Sequence, residues 1–306
     1  MAKGLDIRRR IRSVKNTKAI TKAMEMVAAS KMRKAQEAAL RSRSYAEKAL
    51  EILSSVSGLI PEDHPFLAGH RQAKGEKGKR FLILAITPNK GLCGSLNSNL
   101  MRSITTFVAE NELTPGAAFD FVTLGKKGRD ALLRMHYGIK SDYSDLGDSV
   151  GVSDLGPLAK ELLGGFEKGE YDGVYAVYTH FYSVLAQKAV TKRILPLGRD
   201  MLDMLELTSK DYQKTDEKDV TEMLFEPSAP EVLSELIPRL TEMQVFQAVL
   251  EAQASEQSAR MVAMQNATKA AGELIDDLTL TYNKARQAGI TQEISEIVGG
   301  VEALKS

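Results

Sequence analysis

With 306 residues and 43% hydrophobic residues the chain can bury a sizeable core, and length alone leaves one domain or two equally open. Its 41 Lys/Arg against 40 Asp/Glu exclude a strongly basic or acidic protein overall. No stretch approaches the roughly 20 apolar residues needed to cross a bilayer and the N-terminus lacks an apolar signal core, so a chain soluble on its own is expected. The single cysteine, Cys93, excludes an internal disulfide and a paired-cysteine metal or redox site.

The near-neutral total hides an asymmetry. Residues 1–58 carry 14 Lys/Arg against 5 Asp/Glu, and residues 201–242 carry 4 against 11. Such a polarised chain implies charged partners. From Gly4 to about Gly58 there is no proline and no internal glycine, which predicts one uninterrupted helix over 1–58. Ile7, Val14, Thr21, Ala28, Ala35, Ser42 and Ala49 fall seven apart, with Met24, Ala38, Tyr45 and Ile52 offset by three. That seam of mostly small side chains would let a partner helix approach closely.

The middle alternates differently. Arg80–Thr87, Phe119–Leu124 and Tyr171–Tyr178 are short apolar or β-branched runs separated by helical stretches near 96–112, 125–135 and 154–168, and Ala189–Leu197 reads as a further strand. Strand and helix in alternation predict a doubly wound parallel sheet over 80–200. Linkers at 58–79 and in the acidic connector 201–238 set this α/β module between the terminal helices. The last segment, 239–306, repeats the seven-residue spacing at Met243, Leu250, Gln257, Met264, Ala271, Leu278 and Ala285, joined by Phe246, Ala267 and Leu274. The terminal helices are therefore expected to pair as an antiparallel coiled coil. Pro238 should end or kink a helix near Ile237.

Little in the sequence suggests chemistry. Gly91-Leu92-Cys93-Gly94-Ser95 sits where a doubly wound fold binds phosphate, but it lacks both the third glycine of a dinucleotide fingerprint and the Gly-Lys-Ser/Thr of a phosphate loop. A tight strand-to-helix turn is the better reading, and Gly125-Lys126-Lys127-Gly128 has the same defect. His64, His70, His136 and His180 lie far apart, without metal-ligand spacing. Cys93 reads as a buried thiol, and Glu25, Asp276 and Asp277 as solvated carboxylates. No catalytic, cofactor or metal residue is assigned.

The remaining feature is a basic stripe, Arg8, Arg12, Lys15, Lys18 and Lys22, which could face nucleic acid, anionic lipid or acidic protein. The acid-poor first 24 residues also mimic a transit peptide, but the serine enrichment is missing. A nucleic-acid-binding coiled-coil protein is the main rival. It would want a basic inserted domain or aromatic stacking platforms, whereas residues 59–200 carry 18 basic against 16 acidic residues. A nucleotide-using enzyme with a helical arm is a second rival, weakened by the incomplete glycine loop.

Three segments carry a resemblance. Asn16 through Met32 (NTKAITKAMEMVAASKM) resembles the N-terminal signature of ATP synthase gamma subunits. Ala254–Met264 (ASEQSARMVAM) and Tyr282–Ile294 (YNKARQAGITQEI) are similar to the C-terminal helix motifs of that family, and Gly91-Leu92-Cys93-Gly94 with Leu96-Asn97 to its loop after the first strand. They occur in the family's order along the whole chain. Lys90, where arginine is expected, Ser95, where a second glycine is common, and Pro238 depart from the pattern, and there is no inserted dithiol loop.

The resemblance implies a rotary shaft without catalytic residues. Its paired helices would stand inside a ring of three alpha and three beta subunits, and its α/β domain would meet the epsilon subunit and the c subunits of the membrane rotor ring. It implies contacts to the alpha/beta ring from Met24, Arg260, Arg286, Gln287 and Thr291, with the basic stripe facing acidic protein. Membrane association would come only through the complex, on the cytoplasmic face of a bacterial inner membrane.

Overall fold

The computed structural model describes residues 2–57, 66, 80–111, 119–146, 150–197 and 228–305. Along the chain run α1 (Ala2–Ser57), β1 (Phe81–Ile86), α2 (Leu96–Glu110), β2 (Phe119–Leu124), α3 (Lys126–Arg134), β3 (Ile139–Asp142), a 3₁₀ turn (Val152–Leu155), α4 (Gly156–Glu167), β4 (Gly173–Phe181), β5 (Gln187–Leu195) and α5 (Ala229–Lys305). Two compact units result. One comprises Lys31–Ala259, the other Met1–Ser30 with Arg260–Ser306.

In the larger unit a five-stranded sheet has the order β3-β2-β1-β4-β5. β1 pairs in parallel with β2 and β4, and β2 in parallel with β3. All six residues of β1, FLILAI, are buried, as expected for a parallel strand covered on both faces. The side-chain alternation of a strand sorts them. Phe81, Ile83 and Ala85 join Leu100, Ile104 and Val108 of α2 and Leu132 of α3. Leu82, Leu84 and Ile86 join Leu158, Leu162 and Phe166 of α4 and Val245, Val249 and Leu250 of α5. Each such aliphatic side chain stabilises the fold by roughly 1.5–3 kcal/mol when fully buried.

Three expectations need correction here. The sheet is mixed, because β5 runs antiparallel to β4; the short connection 182–186 cannot make the crossover that a parallel pair requires. A strand was missed as well: β3, Ile-Lys-Ser-Asp, alternates half-buried and exposed positions at the sheet edge and has no apolar run to announce it. Finally, the C-terminal helix begins at Ala229, ten residues earlier than expected, and continues through Pro238. Proline inside a helix costs about 3 kcal/mol. Here Ile237, Leu240 and Thr241 on either side of it are buried, and Val232 and Leu236 pack on the sheet's core, so tertiary packing outweighs the local penalty. Of the acidic connector 201–238, residues 201–227 lie outside the described residues, as does the linker 58–79 apart from Phe66.

The smaller unit pairs the start of α1 with the end of α5. On α1, Ile7, Ile11 and Val14 are half-buried and Thr21 and Ala28 buried; on α5, Met264 and Ala271 are buried, and Thr268, Ile275, Leu278, Tyr282 and Ala285 half-buried. The α5 set advances by alternating steps of four and three that average about 3.5 residues, and the α1 set keeps the same phase by steps of four, three and seven, the spacing that keeps one helix face on its partner. The seven-residue set of the sequence is therefore found, and of its companions Met24 and Ala267 are half-buried and Phe246 is buried. Leu274 is 47% exposed, and half-buried positions on α5 also fall four residues after heptad members, at Thr268, Ile275 and Tyr282. Small residues ease the approach: a Cβ added at Gly272 would lie 3.1 Å from Lys18 Nζ.

Candidate partner-binding surfaces

Where β2 opens onto α3, the start of the helix is closed by the chain itself. Leu92 and Gly94 have φ of 63° and 61°, so the Gly91–Ser95 segment makes a left-handed double bend before α2 begins after Ser95. At the next strand, Gly125 has φ of 118° and its absent Cβ would fall 1.9 Å from the Thr87 carbonyl oxygen, a place that only glycine can occupy. The first amides of α3 are already used. Lys126 N–H donates to Asn89 Oδ1 at 3.0 Å, Lys127 N–H to the Pro88 carbonyl at 3.1 Å, and Gly128 N–H to Thr87 Oγ1 at 2.8 Å. The helix terminus that a phosphate would need is capped by the loop after β1.

Other candidates for chemistry are dispersed. Cys93 is buried beside Asn97, whose amide lies 3.5 Å from its sulfur. His136 is exposed at a helix end and His180 pairs with Glu251; His64 and His70 lie outside the described residues. Among the described residues no group of three His, Cys, Asp or Glu side chains is placed to hold a metal. No helix among them is long and apolar enough to cross a membrane.

The surfaces on the terminal helices are better defined. Arg8, Arg12, Lys15, Lys18 and Lys22 are all exposed on α1. Within that stripe, Lys22 pairs with Glu25 at 2.9 Å, and Lys18 lies along the seam over Gly272. Met24 is half-buried, while Arg286, Gln287 and Thr291 are exposed on the last turns of α5. Arg260 stands apart from these, being only 8% exposed. Sequence reasoning missed Ile20 and Val27 on α1, 60% and 56% exposed; Ile290, Ile294, Ile297 and Val298 on α5, 48% to 66% exposed, fall in the tail of small and aliphatic residues that the sequence shows over 288–304. The signal was available, since these residues lie outside the seam of each helix yet recur at helical spacing.

Exposed basic and aliphatic stripes on terminal helices, together with a sheet whose phosphate corner is capped from within, mark a subunit of a larger assembly. The family model described as ATP synthase matches residues 4–304. The chain is 42% identical over 306 residues to the ATP synthase gamma chain of Chloroflexus aurantiacus, covering all of both chains. It is 42% identical over 303 residues to that of Pelotomaculum thermopropionicum, covering 98% of each. The chain belongs to the ATP synthase gamma chain family. Its fold is shared with the rotor of the Euglena gracilis mitochondrial ATP synthase, at a TM-score of 0.61 and 22% identity over 94% of this chain and 99% of that one. It is shared too with the central stalk of the Tetrahymena thermophila enzyme, at 0.56 and 27% over 81% and 99%.

Proposed function

We propose that this chain is the central rotor shaft of a proton-translocating F-type ATP synthase and catalyses no reaction itself. The observation that carries the reading is the stripe Ile290, Ile294, Ile297 and Val298, exposed along one face of the last turns of α5 in a chain of this family. A contiguous row of aliphatic side chains in water calls for a covering surface. Aliphatic contact is also non-directional, so a ring closed around the stripe can slide over it without a deep anchor to break.

In this reading α1 and α5 form an antiparallel coiled coil inside three alpha and three beta subunits. The sheet, doubly wound with α2 and α3 on one face and α4 on the other, meets the epsilon subunit and the c subunits of the membrane ring. Arg286, Gln287 and Thr291 supply directional hydrogen bonds to the ring in some rotary positions and not in others, while Met24 and the basic stripe face it from α1. Turning the shaft changes which catalytic site it favours. The chain joins the membrane only through the complex, on the cytoplasmic face of a bacterial inner membrane.

The test is reconstitution with alpha and beta subunits of a bacterial relative. One copy of the chain should co-purify with the ring, and a bead fixed to the sheet domain should turn when ATP is added. A chain that stays out of the ring and instead binds duplex DNA with a steep salt dependence would overturn the reading.

A further inference from the structure

Outside the surfaces above, a cluster of ionisable groups joins β4 and β5 to α5. Glu251 accepts hydrogen bonds from the Tyr178 hydroxyl and from Gln247 Nε2 at 3.2 Å, and its carboxylate lies 2.6 Å from His180 Nδ1. Lys192 brings its ammonium towards the same carboxylate, and the Tyr182 ring meets His180 edge-on at 4.5 Å. The Glu251 side chain is only 17% exposed. Two turns further along α5, the Ser258 hydroxyl donates to the Val184 carbonyl at 2.7 Å and Gln187 Nε2 reaches Ser258 at 3.3 Å. Burial opposes the charge on Glu251, and the His180 contact, with help from Tyr178 and Gln247, more than offsets it, so the carboxyl stays below its ordinary range.

Such a cluster is a poor source of stability. Removing charges from water costs about as much as their attraction returns, and aliphatic residues of similar volume would hold the elements together at least as well. What it supplies is direction. The neighbouring core of Val245, Val249 and Leu250 tolerates small rotations of α5, whereas a carboxylate shared by three donors does not. We propose that Glu251, held by His180 and Tyr178, is a positioning residue that fixes the rotation and register of α5 on the sheet, so that torque reaching the sheet domain passes into the helix without slip. The inference rests on the rotor reading.

The experiment uses the full chain, wild-type or carrying His180→Leu with Glu251→Leu, or Glu251→Gln alone, in complexes assembled with the other subunits. Protons pumped per ATP hydrolysed are compared with the melting temperature of the free chain. The leucine pair should keep or raise the melting temperature while pumping per ATP is partly lost. An unchanged ratio overturns the proposal, and so does a fall in ratio matched by a fall in melting temperature, which would mark an ordinary structural contact. If the leucine pair does not assemble, the glutamine variant, of the same shape, decides by the same ratio. Amide exchange over residues 245–258 of the free chain is the arm that does not depend on the rotor reading. It should quicken in Glu251→Gln, and unchanged exchange overturns the register role whatever the complex does. A wild-type complex that assembles but does not pump counts against the rotor reading alone.

Discussion

Thr21 and Thr268, 247 residues apart in the chain, bring their hydroxyl oxygens to 2.8 Å across the seam between α1 and α5. Each hydroxyl also lies within reach of a carbonyl one turn back on its own helix, Lys18 for Thr21 and Met264 for Thr268. With one proton apiece, the pair forms a short polar chain inside a mostly apolar seam.

Replacing either threonine by valine keeps the shape and leaves the partner hydroxyl only the carbonyl on its own helix. Each single variant should lose about 1 kcal/mol of stability, and the double variant should lose less than the sum, because the second change finds the bond across the seam already gone. Denaturant unfolding of the four proteins in a double-mutant cycle measures this. Strict additivity would remove the contact from the energetics.

The glycines of the sheet domain should separate sharply. Gly125→Ala places a methyl group 1.9 Å from the Thr87 carbonyl oxygen at a φ of 118°, and a loss of about 3 kcal/mol or more is expected. Gly164 lies within α4 with nothing within 4 Å of an added Cβ. There alanine should stabilise by about 0.5–1 kcal/mol. Thermal unfolding of both variants gives the comparison, and a tolerated Gly125→Ala would mean that the turn can rearrange.

Acid stability should depend in part on Asp142. Burial would raise its pKa, but hydrogen bonds from Ser144, Thr123 and Arg129 outweigh burial and hold it below the usual carboxylate range. A carboxyl depressed in the folded state stabilises fully above its unfolded pKa, and that contribution fades as pH falls through the folded value. Asp142→Asn should therefore flatten the fall in unfolding free energy below about pH 4, as measured by urea titrations at stepped pH. An unchanged slope would show that the hydrogen bonds survive protonation.

Arg286→Ala with Gln287→Ala should leave assembly intact, because an exposed Arg-to-Ala change alters stability by under about 0.5 kcal/mol. A charged hydrogen bond present in only one rotary position contributes on the order of 1.5–3 kcal/mol, so turnover should change roughly ten-fold or more. ATPase and proton-driven synthesis in a reconstituted complex report it. Normal rates in an intact complex would take the pair out of the mechanism, whereas failed assembly would make it structural.

Length and spacing made the terminal helices legible: dozens of residues without glycine or proline, and a seven-residue recurrence from Ile7 to Ala28 and from Met264 to Ala285. The central strands were legible because burial on both faces leaves an unbroken apolar run, as in Phe81–Ile86. β3 was not, because an edge strand such as Ile139–Asp142 needs only every second residue inside. The path through Pro238 was hidden for a different reason, since a local penalty was read without the packing of Ile237 and Leu240 that overcomes it. Exposure of Arg286, Gln287 and, Lys18 apart, the basic stripe follows from their positions off the seam. The meeting of His180 with Glu251 depends on which face of α5 the sheet covers, and periodicity alone does not say so.

The amides at the start of α3, taken by Asn89, Pro88 and Thr87, bear on what this end of the sheet can bind. In many α/β proteins this corner reports on adenylate or phosphate levels by exchanging ligands as their concentrations change. Here the acceptors that occupy those amides belong to the same chain, at an effective concentration that a dissolved metabolite hardly matches. A phosphate arriving at the start of α3 would first have to displace Asn89, Pro88 and Thr87.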